Sequence, residues 1–366
     1  MKKNFWNICA MAAVGAVWLL LAVTAWLRPA DAMSDSERRE LAQFPQISLE
    51  KLLDGSFMTE FEDYTLDQFP LRDGFRTVKA AVQYYALGQR DNNGIYLSDG
   101  YAAQLEYPLN ENSVDHALEV FDLIRRKYLG DSRIYAAVVP DKNYYLADKL
   151  GYPSLDYEKL LTKVQQGMPY AQHIDLTDCL TIEDYYRTDT HWRQERLLTA
   201  AQRLCEALGV RIPEAEDYRL NPLEKPFYGV YYGQAALPME PDTLYTMESD
   251  VLAGCQVYNY ETDSYTDVYD LQKLDGKDLY EVFLSGPVSL LRLENPNAQT
   301  DQELIVFRDS FGSSMVPLLA QSYKSITLVD VRYISSQMLD RFVDVQGQDE
   351  LFLYSTLVLN NSFMLK

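Results

Sequence analysis

The chain has 366 residues and a formal net charge of −21, because 54 Asp and Glu outweigh 33 Lys and Arg. That acidity argues against a nucleic-acid partner and against a basic face on an anionic bilayer, since both need clustered Lys and Arg. A 47% apolar fraction indicates a globular chain, and three histidines leave little material for a metal or haem site, so we expect no metal and no cofactor.

The amino terminus carries an apolar stretch from Phe5 to Leu27, directly after Lys2 and Lys3. A stretch of this length spans a hydrocarbon core of about 30 Å, and the positive-inside rule places the residues after it outside the cytoplasm. Ala30-Asp31-Ala32 also resembles a signal-peptidase site, but signal sequences have apolar regions of only about 7–15 residues. We therefore expect a single-pass cell-membrane protein, with residues 1–32 as an uncleaved anchor and 33–366 as the extracytoplasmic domain.

Cysteine usage leaves the redox state open. Cys9 lies in the anchor, and three cysteines lie outside it, namely Cys179, Cys205 and Cys255. One disulfide with a free thiol and three buried thiols are both compatible with an odd number. The sequence has no C-x-x-C pair, so a redox or zinc site has no support.

Predicted elements then alternate along the chain. Helix-like patterns cover 52–85, and turn signals flank a short strand at 95–97. Helical spacing recurs at 114–128, 157–166 and 193–208, and the apolar run 134–139 is typical of a strand buried on both faces. From about 213 to 300 the helical periodicity fades, and short alternating segments such as 256–260 and 280–284 favour a β-rich insertion.

After the insertion, buried strands and helices alternate again. We predict strands at 303–307, 326–331 and 351–359, with helices near 313–322 and 335–343. This pattern indicates an α/β fold with a mostly parallel sheet covered on both faces. Sites in such sheets form beyond the carboxyl ends of the strands.

Three polar segments lie where the loops at this rim should be. They are Asp189-Thr190-His191-Trp192, Arg308-Asp309-Ser310-Phe311-Gly312 and Asn360-Asn361-Ser362. Ser310 follows a buried strand and precedes a helix, the position of a nucleophile elbow. In an extended chain Asp189 and His191 would point to the same side, so Asp189 can orient the imidazole that activates Ser310. Asn360 or Asn361 would add a side-chain amide to the oxyanion hole.

Plain structural explanations compete with this hypothesis. Asp and Ser before a helix are common N-caps, and Asn-Asn after a strand is usually a turn. His116 lies within an amphipathic helix, and His173 precedes a short apolar segment. His191 is distinguished from these two by the acid two residues before it.

The segment 189–192 resembles the signature of the DHHW family of bacterial envelope proteins. It is also similar to the D-T-H-W segment of the alginate O-acetylation proteins AlgX and AlgJ. Further likenesses are Ser36-Glu37-Arg38-Arg39-Glu40-Leu41-Ala42, Asp67-Gln68-Phe69-Pro70-Leu71-Arg72, Val139-Pro140-Asp141-Lys142 and Phe307-Arg308-Asp309-Ser310-Phe311.

The resemblance implies an SGNH-hydrolase-like, flavodoxin-like three-layer domain, with Ser310 as nucleophile, His191 as base and Asp189 as its orienting acid. Arg308 stands where SGNH enzymes usually have Gly, which places a bulky cation beside the elbow. Thr190 replaces the second His of the DHHW name and agrees with the acetyltransferase-like segment.

The expected function is an extracytoplasmic serine esterase or O-acetyltransferase acting on an envelope or exported polysaccharide. The oxyanion or substrate candidates, besides the two asparagines, are Lys142, Arg308 and Tyr232. Tyr232 is included because exposed tyrosine clusters suit sugar faces, although strand packing explains such clusters more often. A transferase would also need a membrane partner protein that supplies the acetyl group. Two alternatives are a non-catalytic glycan-binding or assembly protein on the same fold and a serine peptidase.

Overall fold

The computed structural model describes residues 2–130, 132–345 and 347–366. The described chain divides into two compact units. The first contains residues 2–93 and 232–238, and the second contains residues 94–231 and 239–366. The predicted boundary between an anchor and a single large domain at residue 32 stays a prediction.

The α-helices of the described chain are one long amino-terminal helix and several shorter ones. Their bounds are α1 Lys2–Leu27, α2 Leu49–Asp54, α3 Ser56–Asp67, α4 Arg72–Ala81, α5 Glu111–Ile124, α6 Lys142–Leu150, α7 Tyr157–Gly167, α8 Leu198–Leu208, α9 Val230–Ala235, α10 Asp250–Gly254, α11 Gly312–Leu319 and α12 Thr356–Asn360.

The β-strands form one large sheet and several two-stranded pairs. Their bounds are β1 Met33–Ser34, β2 Arg39–Glu40, β3 Ile95–Ser98, β4 Tyr101–Gln104, β5 Arg133–Val139, β6 Gln172–Ile174, β7 Arg219–Pro222, β8 Tyr245–Glu248, β9 Gln256–Asn259, β10 Ser264–Thr266, β11 Leu290–Glu294, β12 Glu303–Arg308, β13 Ser325–Val329 and β14 Asp349–Ser355.

The large sheet has the strand order β10-β9-β11-β13-β12-β14-β5-β6. The five strands from β13 to β6 pair in parallel, whereas β10, β9 and β11 add to the β13 edge in antiparallel fashion. The α/β class and the mainly parallel sheet are therefore confirmed. The three antiparallel strands come from the predicted β-rich insertion, so part of the insertion extends the sheet.

Apolar side chains alternate between the two faces of the central strands. In β14, Leu351 and Leu353 join one buried cluster that includes residues of α8 and α11, while Phe352 and Tyr354 join another with α5 and α7. A strand whose successive residues are all buried requires cover on both faces. The result is the expected three-layer arrangement, with the sheet between two layers of helices.

Three predicted elements are wrong in type or extent. Residues 279–282 form a 3-10 turn instead of a strand, because the Asp278 side chain caps the Tyr280 amide. The predicted strand 351–359 ends at Ser355, whose hydroxyl accepts a hydrogen bond from the Val358 amide and begins α12. The predicted helix at 335–343 is a 3-10 segment over Ser336–Arg341.

The apolar segment Phe5–Leu27 lies within α1, and it is the one described helix that is long and apolar enough to cross a membrane. The cysteines outside it are free thiols, and the described residues contain no disulfide. Cys205 and Cys255 are buried, and Cys179 is partly exposed.

Candidate active site

Ser310 lies in the turn between β12 and α11, at the carboxyl edge of the sheet. The preceding Asp309 is fully buried, and its carboxylate accepts hydrogen bonds from the amides of Phe311 at 3.0 Å and Ser355 at 2.7 Å. These bonds fasten the turn to the end of β14. Ser310 is therefore held on a rigid support, and its side chain remains partly accessible.

Asp189 and His191 lie on a tight bend that Tyr185 and Trp192 close through an antiparallel bridge. Asp189 Oδ1 accepts a hydrogen bond from the His191 amide at 3.0 Å, the geometry of an Asx turn. The expectation of an extended segment is therefore wrong. The carboxylate reaches the imidazole because the chain turns around it.

The three side chains form one continuous hydrogen-bonded chain. Asp189 Oδ1 lies 2.6 Å from His191 Nδ1, and His191 Nε2 lies 2.7 Å from Ser310 Oγ. Asp189 is fully buried, and 8% of His191 is exposed. This arrangement can pass a proton from a hydroxyl to an imidazole while the buried carboxylate stabilises the imidazolium.

The insertion supports this chain from the acid's side, which sequence reasoning missed. The amide of Val230 donates to Asp189 Oδ2 at 2.8 Å, and the amide of Gly229 donates to Thr188 Oγ1 at 2.9 Å. A Cβ on Gly229 would lie 2.2 Å from Asp189 Cβ and 2.4 Å from its backbone Cα, so only glycine allows this approach. A glycine within the tyrosine-rich run 227–233 is the one sequence feature that could indicate this close approach. The aromatic residues of the run favour a sugar-binding or strand-packing interpretation instead.

A second support from the insertion is Asp242. Its carboxylate accepts hydrogen bonds from the Arg187 amide at 2.9 Å, the Thr188 amide at 2.8 Å and the Thr188 hydroxyl at 2.6 Å. These residues directly precede Asp189. Asp242 therefore fixes the entrance to the bend.

Tyr280 contacts the imidazole face to face. The rings of Tyr280 and His191 lie 3.8 Å apart with an angle of 8° between their planes. The Tyr280 hydroxyl hydrogen-bonds with Ser314 Oγ at 2.8 Å, and burial raises the pKa of this phenol. Tyr280 thus limits rotation of the imidazole and presents an aromatic face to the imidazolium.

Trp192 joins the histidine bend to the serine helix. Its indole N–H donates to the Phe311 carbonyl at 3.0 Å and to Ser314 Oγ at 2.9 Å. Because Trp192 directly follows His191 and Phe311 directly follows Ser310, these bonds set the spacing between base and hydroxyl.

Lys142 is buried at the start of α6, after the end of β5. Its Nζ donates to the carbonyls of Tyr186 at 2.8 Å and Arg187 at 3.3 Å. Burial lowers its pKa to about 7, although the nearby Asp189 and Asp242 carboxylates oppose that shift. The contacts place Lys142 behind the bend, where it holds the chain that leads to Asp189.

Arg308 lies against the residues on either side of Ser310, and its Nη1 donates to the Asp309 carbonyl at 3.3 Å. It is fully buried, its Nη1 lies 3.7 Å from Asp330 Oδ2, and its side chain packs under Gly312 at the start of α11. Burial lowers the pKa of the guanidinium, while Asp330 opposes the shift. The bulky cation therefore occupies the base of the elbow.

Asn360 and Asn361 lie at the end of α12, so they do not directly follow a strand. Their side-chain amides donate to Glu106 Oε1 at 2.6 Å and 2.7 Å, and Asn360 Oδ1 accepts from the Asn110 amide. These bonds tie both amides to the loop before α5, and among the described residues neither amide hydrogen-bonds with Ser310. Tyr232 lies in α9, and its predicted part in substrate binding stays a prediction.

A protein-family model matches the part of the chain that contains the hydrogen-bonded acid, histidine and serine. The DHHW protein family model matches residues 173–329, a range that contains Asp189, His191 and Ser310. The expected resemblance to the DHHW family is confirmed. The match begins at β6 and ends with β13, so it covers the insertion and the serine turn but not β5 or β14.

Two solved structures with TM-scores above 0.5 share the fold, and a third is similar to this chain at a lower TM-score. A DHHW family protein from Eubacterium siraeum gives a TM-score of 0.59 at 21% identity, covering 74% of this chain and 93% of that chain. PatB1 of Bacillus cereus gives a TM-score of 0.59 at 20% identity, covering 72% and 96% respectively. The O-acetyltransferase domain of Pseudomonas putida AlgJ gives 0.44 at 15% identity, covering 73% and 92%. Comparison with curated proteins gives no match.

Proposed function

We propose that the protein is an extracytoplasmic serine enzyme of the SGNH-like type that removes or transfers acetyl groups on a polysaccharide. The observation that carries the proposal is the hydrogen-bonded chain from Asp189 through His191 to Ser310, with distances of 2.6 Å and 2.7 Å. Support for acetyl chemistry comes from the resemblance of 189–192 to the alginate O-acetylation proteins.

The first step is acylation of Ser310. Its Oγ attacks the acetyl carbonyl carbon while His191 Nε2 accepts the hydroxyl proton, and Asp189 stabilises the imidazolium. The tetrahedral intermediate then collapses, and the bond to the donor oxygen breaks. His191 returns its proton to that oxygen, and an acetyl ester remains on Ser310.

The negative charge of the intermediate needs hydrogen-bond donors. The Ser310 amide makes no hydrogen bond within the described residues and lies at the turn before α11, so we assign it as one oxyanion donor. Asn360 and Asn361 are not assigned this role, because their amides are held on Glu106.

The second step decides between hydrolysis and transfer. Water or a sugar hydroxyl attacks the acetyl carbon, His191 takes the proton of the attacking oxygen, and Ser310 leaves with that proton. Transfer requires that the acceptor sugar enter while water is excluded. The net charge of −21 repels anionic polymers, which favours a neutral or cationic glycan as the acceptor.

Membrane attachment completes the proposal. The apolar segment Phe5–Leu27 would anchor the chain in the cell membrane with its bulk outside the cytoplasm, because Lys2 and Lys3 precede that segment. A transferase in this position takes its acetyl group from a donor delivered across the membrane by a separate protein.

Turnover of a small acetyl ester tests the enzymatic part. The full chain should hydrolyse 4-nitrophenyl acetate, and Ser310→Ala and His191→Ala should each lose most of this activity, on the order of 1,000-fold in kcat. Ser289→Ala and His116→Gln serve as matched controls and should keep it. Equal turnover by Ser310→Ala and the parent would contradict the proposal, and cleavage of peptides without ester turnover would favour a peptidase.

A further inference from the structure

An exposed apolar stripe runs along α4 in the first unit. It consists of Leu71, Phe75, Val78 and Val82, which are 73%, 50%, 63% and 49% exposed. Phe75, Val78 and Val82 are spaced three and four residues apart, and Val82 continues the helical backbone directly after α4, so these three share one face over about 10 Å. Leu71 directly precedes the first turn of α4. Contiguous exposed apolar side chains of this kind mark an interaction surface.

The opposite face of α4 is already engaged. Arg72 and Arg76 form ion pairs with the Glu37 carboxylate at 2.5 Å and 3.2 Å, and Arg76 Nη2 also donates to the Gly233 carbonyl at 2.9 Å. Ala80 on this helix is fully buried. These contacts orient α4 so that its apolar stripe faces away from its own unit.

The stripe begins close to the point where the apolar amino-terminal helix ends. Asp31 follows Leu27 by four residues, a span of at most about 14 Å. The backbone of Asp31 exchanges two hydrogen bonds with the Gln68 side chain, at 2.9 Å and 2.8 Å. Because Gln68 precedes Leu71 by three residues, the stripe starts near the exit of α1.

We propose that α4 lies in the membrane interface, with its apolar stripe in contact with lipid. The proposal rests on the membrane anchor proposed above and adds a second contact between the same unit and the bilayer. An α-helix with a narrow apolar face buries that face about 5–10 Å into the boundary between headgroups and acyl chains.

The contact is apolar rather than electrostatic. With a net charge of −21, the chain gains little from anionic headgroups, so zwitterionic lipid suffices. The consequence for function is orientation, because a second membrane contact limits rotation of the first unit about α1.

Lipid quenching on the full chain tests the proposal. The accessible cysteines are first removed by Cys9→Ser and Cys179→Ser. Single cysteines are then introduced by Val78→Cys or Val82→Cys and labelled with bimane, and the full-length protein is placed in phosphatidylcholine nanodiscs. The label at Glu119→Cys, an exposed site on α5 of the other unit, is the matched control. We expect brominated phosphatidylcholine to reduce emission at both stripe sites by at least about twofold and to leave the control unchanged.

The outcomes separate this proposal from the others. Intact mass on the same sample reports whether residues 1–32 are retained, and acetyl-ester turnover reports the enzymatic proposal independently. A retained anchor with equal quenching at stripe and control sites overturns the interfacial helix alone. Stripe labels shielded from both brominated lipid and aqueous iodide would place a protein surface over α4 and would also overturn it.

Discussion

Substitution of Gly229 by alanine tests how closely catalysis depends on the position of Asp189. Gly229 does not adopt a positive φ, so its backbone accepts alanine without strain. The added Cβ would lie 2.2 Å from Asp189 Cβ, 2.4 Å from its backbone Cα and 2.5 Å from its Oδ2, so the backbone and the carboxylate of Asp189 would both have to move by more than about 1 Å to reach ordinary van der Waals contact. A displacement of that size costs on the order of 100-fold in rate.

The assay is kcat/KM for 4-nitrophenyl acetate, with thermal unfolding as the measure of folding. Gly74→Ala is the matched control, since nothing lies within 4 Å of the added Cβ and alanine is favourable within α4. We expect Gly229→Ala to fold and to lose about 100-fold in kcat/KM, while Gly74→Ala stays within about twofold. A folded Gly229→Ala protein with parental kcat/KM would refute the proposed part of Asp189.

Further predictions concern supporting residues and stability. Tyr280→Leu should lower kcat about tenfold through loss of the aromatic face on His191, whereas Tyr280→Phe should keep kcat within about threefold. Asp242→Asn should lower kcat about tenfold with little change in KM, because the amides before Asp189 lose a charged acceptor. Burial raises the pKa of Glu350 to about 9, so its carboxyl stays protonated in the folded protein while it ionises in the unfolded chain. Between pH 5 and pH 7 the free energy of unfolding of the parent should therefore fall, relative to Glu350→Gln, by about 1.4 kcal/mol per pH unit in denaturant titrations. Parallel profiles for parent and variant would contradict that assignment.

Strands of the central sheet were predictable because their local apolar composition indicates burial on both faces. The runs 134–139 and 304–307 are short, continuous and apolar, which is the pattern of a strand covered on both faces. The ends of these strands also pointed to the region of Ser310. A serine directly after a buried parallel strand lies at the carboxyl edge of the sheet, where sites form.

Pairings between distant segments were not predictable from periodicity. The addition of β9, β10 and β11 to the sheet edge depends on backbone bonds between distant parts of the chain, and no residue pattern encodes that choice of partner. Tyr280 shows the same limit, because its sequence alternation resembles a strand while the Asp278 cap makes a turn that brings its ring onto His191.

Asp189 and His191 come together through a different conformation from the one that the sequence predicts. Side chains two residues apart face the same side in a strand, and the prediction relied on that rule. The structure uses an Asx turn instead, in which Asp189 binds both the amide and the ring of His191. The chemistry of an acid two residues before a histidine permits both conformations.

The most direct test is to locate the acetyl group after brief reaction with 4-nitrophenyl acetate at low pH. Peptide mass spectrometry of the full-length protein should find one added acetyl group on Ser310, and His191→Ala should acquire it much more slowly. Acetylation absent from Ser310 in a protein that still turns over the ester would contradict the proposed mechanism.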